Sequence, residues 1–142
     1  MTTKPSRDEA LDAVKTLIKW AGDDPTREGL IETPDRVIRA YKEFFAGYEE
    51  DPEQVLEKTF EEVEGYDDAV IVRNIRVESH CEHHMVPFFG QYWFGYIPDP
   101  KGQIIGLSKV ARLVNYHSAK LQIQERLVHD IIEDIWSILG VD

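Results

Sequence analysis

A chain of 142 residues with 42% hydrophobic and 11% aromatic content is long enough for one domain with a real core. Its formal net charge of -11 argues against a general nucleic-acid binder, and no apolar run approaches the roughly 20 residues of a membrane helix. The N-terminal MTTKPSRDEALDAV lacks the hydrophobic centre of a signal peptide, so the expectation is a cytoplasmic protein with no membrane and no nucleic-acid partner.

In chain order, Leu11, Val14, Leu17 and Ile18 recur at helical spacing and predict an amphipathic helix over residues 8–21. Asp23-Asp24-Pro25 ends it, because the residue before proline disfavours α geometry. Thr33-Pro34 reads as an N-cap followed by proline at the first helical position, opening a second helix with Val37, Ile38, Tyr41, Phe44 and Phe45 on one face up to Gly47. An acidic run follows, with Glu49, Glu50, Asp51, Glu53, Glu57, Glu61, Glu62 and Glu64, and reads as a solvated face or connector.

Residues 69–77 are β-branched with polar alternation at Arg73, Asn74 and Arg76, and 88–97 are rich in aromatics; both predict strands. Between them lies Ser79-His80-Cys81-Glu82-His83-His84. A turn at residues 98–102 and a short returning strand at 103–106 complete an antiparallel unit. Two helices close the chain. Residues 107–120 are expected to bury Leu107, Val110, Ala111 and Val114, and residues 122–139 repeat Ile123, Leu127, Ile131, Ile135 and Leu139, with Gly140 as the stop. Helices, then strands, then helices give an α+β class.

Several residues could carry chemistry. Cys81 is the only cysteine, so no disulfide framework exists within these 142 residues and its thiol is a small buried hydrophobe, a nucleophile or a metal ligand. Cys81 and His84, three apart beside a strand end, can bind one zinc ion as thiolate and imidazole, or can be a buried cysteine with surface histidines. His83, turned the other way along an extended segment, can exchange protons beside a ligating His84 or stay a solvated loop histidine. Gly106-Leu107-Ser108-Lys109, with Arg112 one turn on, can cradle phosphates or form an ordinary helix start. Gln122-Ile123-Gln124-Glu125-Arg126 offers a carboxylate beside amides that suits a guanine edge, or a helix surface.

Taken together and in order, Asp24-Pro25-Thr26-Arg27-Glu28-Gly29-Leu30, Thr33-Pro34-Asp35-Arg36-Val37, Cys81-Glu82-His83-His84, residues 106–112 and residues 122–127 resemble the signatures of the GTP cyclohydrolase I family. The resemblance implies a tunnelling fold (T-fold): an antiparallel sheet backed by two long helices, assembled around a ring as a homo-oligomer, commonly a decamer of two pentamers, with active sites between subunits. It implies one domain over residues 1–142, with a helical N-terminal part at 1–48 and a T-fold core at 69–142. By similarity, Cys81 and His84 are zinc ligands and His83 the catalytic proton-transfer residue. Ser108, Lys109, Arg112 and Arg36 hold the triphosphate of GTP, and Gln124 and Glu125 hold the guanine ring. The implied reaction is addition of zinc-activated water to C8 of the purine, ring opening, loss of formate and closure to 7,8-dihydroneopterin triphosphate, the first step towards tetrahydrofolate and other pterins.

Members of that family continue past the second long helix into a β-hairpin with a His-x-Cys segment and a nearby arginine, which supply the third zinc ligand, another catalytic histidine and a phosphate contact. This sequence stops at Gly140-Val141-Asp142, so the resemblance also implies a core that lacks the hairpin. Two alternatives follow: a non-catalytic T-fold subunit or fragment that binds a purine nucleotide or pterin, and a T-fold reductase of a deazapurine nitrile, which needs a cysteine poised for covalent attack. The Cys-Glu-His-His setting favours ligation over the latter.

Overall fold

The structure, a computed structural model, describes residues 3–51, 55, 59–60, 68–98 and 104–139. It falls into two compact units, Met1–Glu43 and Phe44–Asp142. The first carries α1 (Arg7–Trp20) and most of α2 (Thr33–Phe44). Ser6 and Glu9 form a reciprocal capping box at the start of α1, satisfying donors that a helix leaves free at its N-terminus. No residue of α1 is buried, and Leu17, expected on its apolar stripe, is 64% exposed. Gly22 follows with φ +97°, the left-handed conformation that glycine adopts at low cost after a helix. Thr33, the expected cap, is itself the first residue of α2, so the helix begins one position earlier than expected.

The second unit is α+β. A two-residue strand β1 (Thr59–Phe60) pairs antiparallel with β4 (Ile104–Ile105), and β2 (Val70–Cys81) pairs antiparallel with β3 (Pro87–Tyr96). The third strand of the larger sheet, β5 (Leu121–Gln122), runs parallel to the end of β2, so the order is β3-β2-β5 and the sheet is mixed, not wholly antiparallel. The helices are α3 (Leu107–Ser118) and α4 (Gln124–Leu139). Periodicity over residues 122–139 hid β5: two extended residues between two helices leave no alternation to read.

β2 extends four residues beyond the expected end at 77 and takes in Ser79, His80 and Cys81. It carries a bulge between Val72 and Ile75, where Asn74 adopts φ 62° and its side-chain oxygen accepts a hydrogen bond from Trp93 Nε1 at 3.1 Å. The core joins Val77 and Tyr92 of the sheet to Ile105, to Val110, Leu113 and Val114 of α3, and to Leu127, Ile131 and Ile135 of α4. Leu107, expected inside, is 58% exposed, while Leu113 is fully buried. Burial pushes the Tyr92 and Tyr96 phenols above their ordinary range, partly offset at Tyr96, whose hydroxyl oxygen accepts from the Ile105 N–H. The turn at 98–102 lies mostly outside the described residues, as do Gly140 and the acidic positions 53, 57, 61, 62 and 64.

Candidate metal and nucleotide site

The end of β2 turns back into β3 through residues 82–86. Met85 N–H donates to the Cys81 carbonyl at 2.7 Å and Cys81 N–H to the Val86 carbonyl at 2.9 Å, closing a tight loop. His83 and His84 therefore lie in a turn, not in the extended segment that the sequence suggested. Met85 has φ 56°, a left-handed backbone that costs a non-glycine residue about 1–2 kcal/mol and is held by those two bonds.

Within the loop Cys81 Sγ stands 3.9 Å from His84 Nδ1. Two ligands of one tetrahedral zinc ion, at about 2.3 Å for sulfur and 2.1 Å for nitrogen, stand roughly 3.6 Å apart, so the two side chains fit a shared ion with a small adjustment. Cys81 is half-buried and His84 exposed, leaving the open side of the pair to solvent. Among the described residues no third His, Cys, Asp or Glu joins them to complete a metal-binding group. His83 is exposed on the same turn, with Nε2 3.7 Å from the Glu82 carboxylate.

β5 brings the second motif to this corner. His80 aligns with Leu121 and Cys81 with Gln122, and Glu82 N–H donates to the Gln122 carbonyl at 3.0 Å. Glu82 Oε2 accepts from Arg126 Nη1 at 2.6 Å, tying the turn to the first turn of α4. Gln124 and Glu125 open that helix and are both exposed, so the amide and carboxylate predicted to meet guanine stand two and three residues from the strand that pairs with Cys81. No local pattern announces the Glu82–Arg126 pair, whose partners lie far apart along the chain.

The phosphate candidates sit elsewhere. Gly106 is the N-cap of α3, and Ser108 and Arg112, four apart, are exposed on its first turns. Lys109 points the other way: it is 6% exposed and its Nζ donates to the Val55 carbonyl at 2.8 Å. It is the C-terminal end of α3, near Ser118, that leads into β5, and the ten residues from Ser108 to Ser118 span about 15 Å of helix. Arg36 belongs to the N-terminal unit, where it pairs with Glu32.

The family described as GTP cyclohydrolase I matches the chain over residues 10–142. Among curated proteins, one from Hyphomonas neptunium named GTP cyclohydrolase 1 is 54% identical over 137 residues, covering 96% of this chain and 66% of its own length. Proteins of the same name from Maricaulis maris and Pelagibacter ubique are 53% and 52% identical, covering 94% and 97% of this chain and 64% and 67% of their own lengths. The chain thus spans about two thirds of the length of the curated relatives it matches.

Proposed function

Because the chain belongs to the GTP cyclohydrolase I family, we propose that it acts in the zinc-dependent hydrolytic opening of GTP to formate and 7,8-dihydroneopterin triphosphate, as a cytoplasmic homo-oligomer with the T-fold. The observation that carries this reading is one corner of the fold, where a thiol and an imidazole 3.9 Å apart adjoin the helix start bearing Gln124 and Glu125. Soft sulfur and borderline nitrogen suit zinc, and an amide beside a carboxylate suits the donor edge of guanine.

In this reading Cys81 and His84 hold zinc, which when bound supplies a water whose pKa falls from about 15.7 towards about 7. We assign proton transfer at the purine to His83, which shares the turn and is free to reach solvent-borne substrate. Gln124 and Glu125 orient the base. Ser108 and Arg112 take the triphosphate, joined by Lys109 once its ammonium exchanges the Val55 carbonyl for phosphate oxygens, and the Arg36 guanidinium is a further cationic contact for phosphate. The 15 Å of helix between Ser108 and the β5 corner favours a site assembled from two copies, one giving the metal corner and the other the phosphate end. Catalytic zinc takes three protein ligands as a rule, so the pair needs a third donor that the described residues of one chain do not gather beside it, such as a histidine of a neighbouring copy.

Formate release from GTP by the chain supplied with zinc, abolished by a chelator, is the expected result. Cys81→Ser should lose both bound zinc and turnover; unchanged zinc content in that variant sinks the metal assignment. A second reading, a non-catalytic subunit that binds a purine, draws on the two-ligand cluster among the described residues. GTP binding that Glu125→Ala weakens, without formate release at any zinc concentration, would select it.

A further inference from the structure

β5 is two residues long and paired in parallel, too little backbone bonding to fix its own register. Its anchor is a side chain. Gln122 is 1% exposed, and its Nε2 donates to the His117 carbonyl at 3.2 Å and to Asp130 Oδ2 at 3.3 Å. Asp130 Oδ2 also lies 3.8 Å from His117 Nδ1, and His117 Nε2 lies 2.7 Å from Asp134 Oδ2. Asp130 and Asp134 are one turn apart on α4, so the 6%-exposed imidazole of α3 is bracketed by two carboxylates across the helix seam.

An apolar side chain at position 122 would fill the same space with no demand on direction. A carboxamide has two N–H groups that must each meet an acceptor, because burying them unpaired costs about 1–3 kcal/mol. Here one acceptor is the last turn of α3 and the other belongs to α4, so both N–H groups are met while residue 122 faces this seam. The consequence reaches the main chain. The Gln122 carbonyl receives the Glu82 N–H at 3.0 Å, and two residues later Gln124 begins α4.

We propose that Gln122 is a positioning residue, held by His117 and Asp130, that sets the register of β5 against Cys81 and with it the spacing between the Cys81–His84 pair and Gln124–Glu125. Its value for activity rests on the reading of those two pairs as the metal and purine ends of one site. A one-residue slip of β5 would turn residue 122 out of the seam and carry the start of α4 about 3.3 Å along the strand direction.

The test uses Gln122→Met, which keeps the length and loses the hydrogen bonds, against Val110→Ala, a core change that leaves β5 untouched. Amide hydrogen exchange reports the position directly, and Co2+ alone, read by its thiolate charge-transfer band, reports the metal corner. In Gln122→Met the Glu82 amide is expected to exchange about tenfold faster than the change in global stability explains. Co2+ affinity should fall about tenfold or more, the usual cost of losing a group that orients a ligand. Val110→Ala should speed the exchange of all core amides together, by the factor its loss of global stability sets, and leave Co2+ affinity alone. Glu82 protection that merely follows global stability in Gln122→Met overturns the proposal. If neither protein shows a Co2+ band the metal reading fails, and the exchange data still decide the positioning claim. Should Gln122→Met not fold, Asp130→Asn carries the same two readouts, with a smaller but selective loss of Glu82 protection expected and none overturning it.

Discussion

Helix α4 has two sides that the protein treats in opposite ways. Towards α3 it presents Leu127, Ile131 and Ile135, exposed by 3%, 0% and 1%, and a polar seam in which Asp130 and Asp134 meet buried His117 and Gln122. Towards β3 it presents Val128, Ile132 and Trp136, which with Trp93, Phe94 and Ile97 line an open groove of about 730 Å³. Ile97, Trp93 and Trp136 are 74%, 68% and 59% exposed. One side is closed by groups chosen for direction as well as volume; the other is apolar and open. Hydrophobicity alone therefore does not say which residues stabilise this unit, and the same residue type should carry very different weight on the two sides.

Ile131→Ala tests the closed side and should be the costliest change. It empties a fully buried position in the core that α4 shares with α3 and the sheet, and a loss of about 2–5 kcal/mol in denaturant unfolding is expected. Ile97→Ala removes the same atoms from the groove, where only about a quarter of the side chain is covered, and should cost roughly 0.5 kcal/mol. Equal costs at the two sites would break the comparison and show that the groove is covered in the folded protein.

Gly47→Ala sharpens it from the backbone side. A Cβ at Gly47 would stand 2.3 Å from the Tyr116 carbonyl oxygen and 2.8 Å from that of Ala119, at the end of α3 that leads into β5. Neither oxygen can move without disturbing the helix end, and the Gly47 N–H already donates to the Ala119 carbonyl at 3.0 Å. A loss of about 1–3 kcal/mol is expected from the forced shift. A stable Gly47→Ala protein with unchanged Tm would mean that the end of α3 yields, and the closed side would be less rigid than its packing implies.

Much of the fold was legible because its signals are periodic. Four helices and the β2–β3 pair follow from the recurrence of Val, Leu and Ile at helical spacing and from aromatic and β-branched runs. Leu107 fits the apolar pattern yet is exposed, because the first residue of a helix can satisfy the spacing and still lie outside the packed turns. The Asn74 bulge hides in a polar alternation that an ordinary strand would also show. At the candidate site, the three-residue spacing of Cys81 and His84 agrees with their closeness but left ligation and a buried cysteine with surface histidines both open, whereas the seam was not legible at all: His117, Gln122 and Asp130 are polar residues that a helical wheel assigns to solvent. Their burial depends on each finding a partner from another element, and sequence distance hides such partners.

Outside both sides of α4, the segment after α1 shows what polar contacts do when nothing is buried. Asp23 accepts from Arg27 Nε at 2.8 Å and Nη2 at 2.9 Å, and also from the Asp24 N–H at 2.8 Å. The paired guanidinium, helped by that amide, holds the Asp23 carboxyl down to about 2 from an ordinary 3.8. A depressed carboxyl favours the folded arrangement above its ordinary pKa and loses that contribution as pH falls towards 2, so neutral-pH behaviour should be unaffected. In an NMR titration the Asp23 midpoint should lie near 2 and move back towards 3.8 in Arg27→Ala. Because these groups are exposed, the same substitution should leave Tm almost unchanged, the smallest effect of the series and the opposite limit from Ile131. A large loss of Tm in Arg27→Ala would mean that this loop is held by more than the ion pair, and that exposure is a poor guide to weight in the N-terminal unit as well.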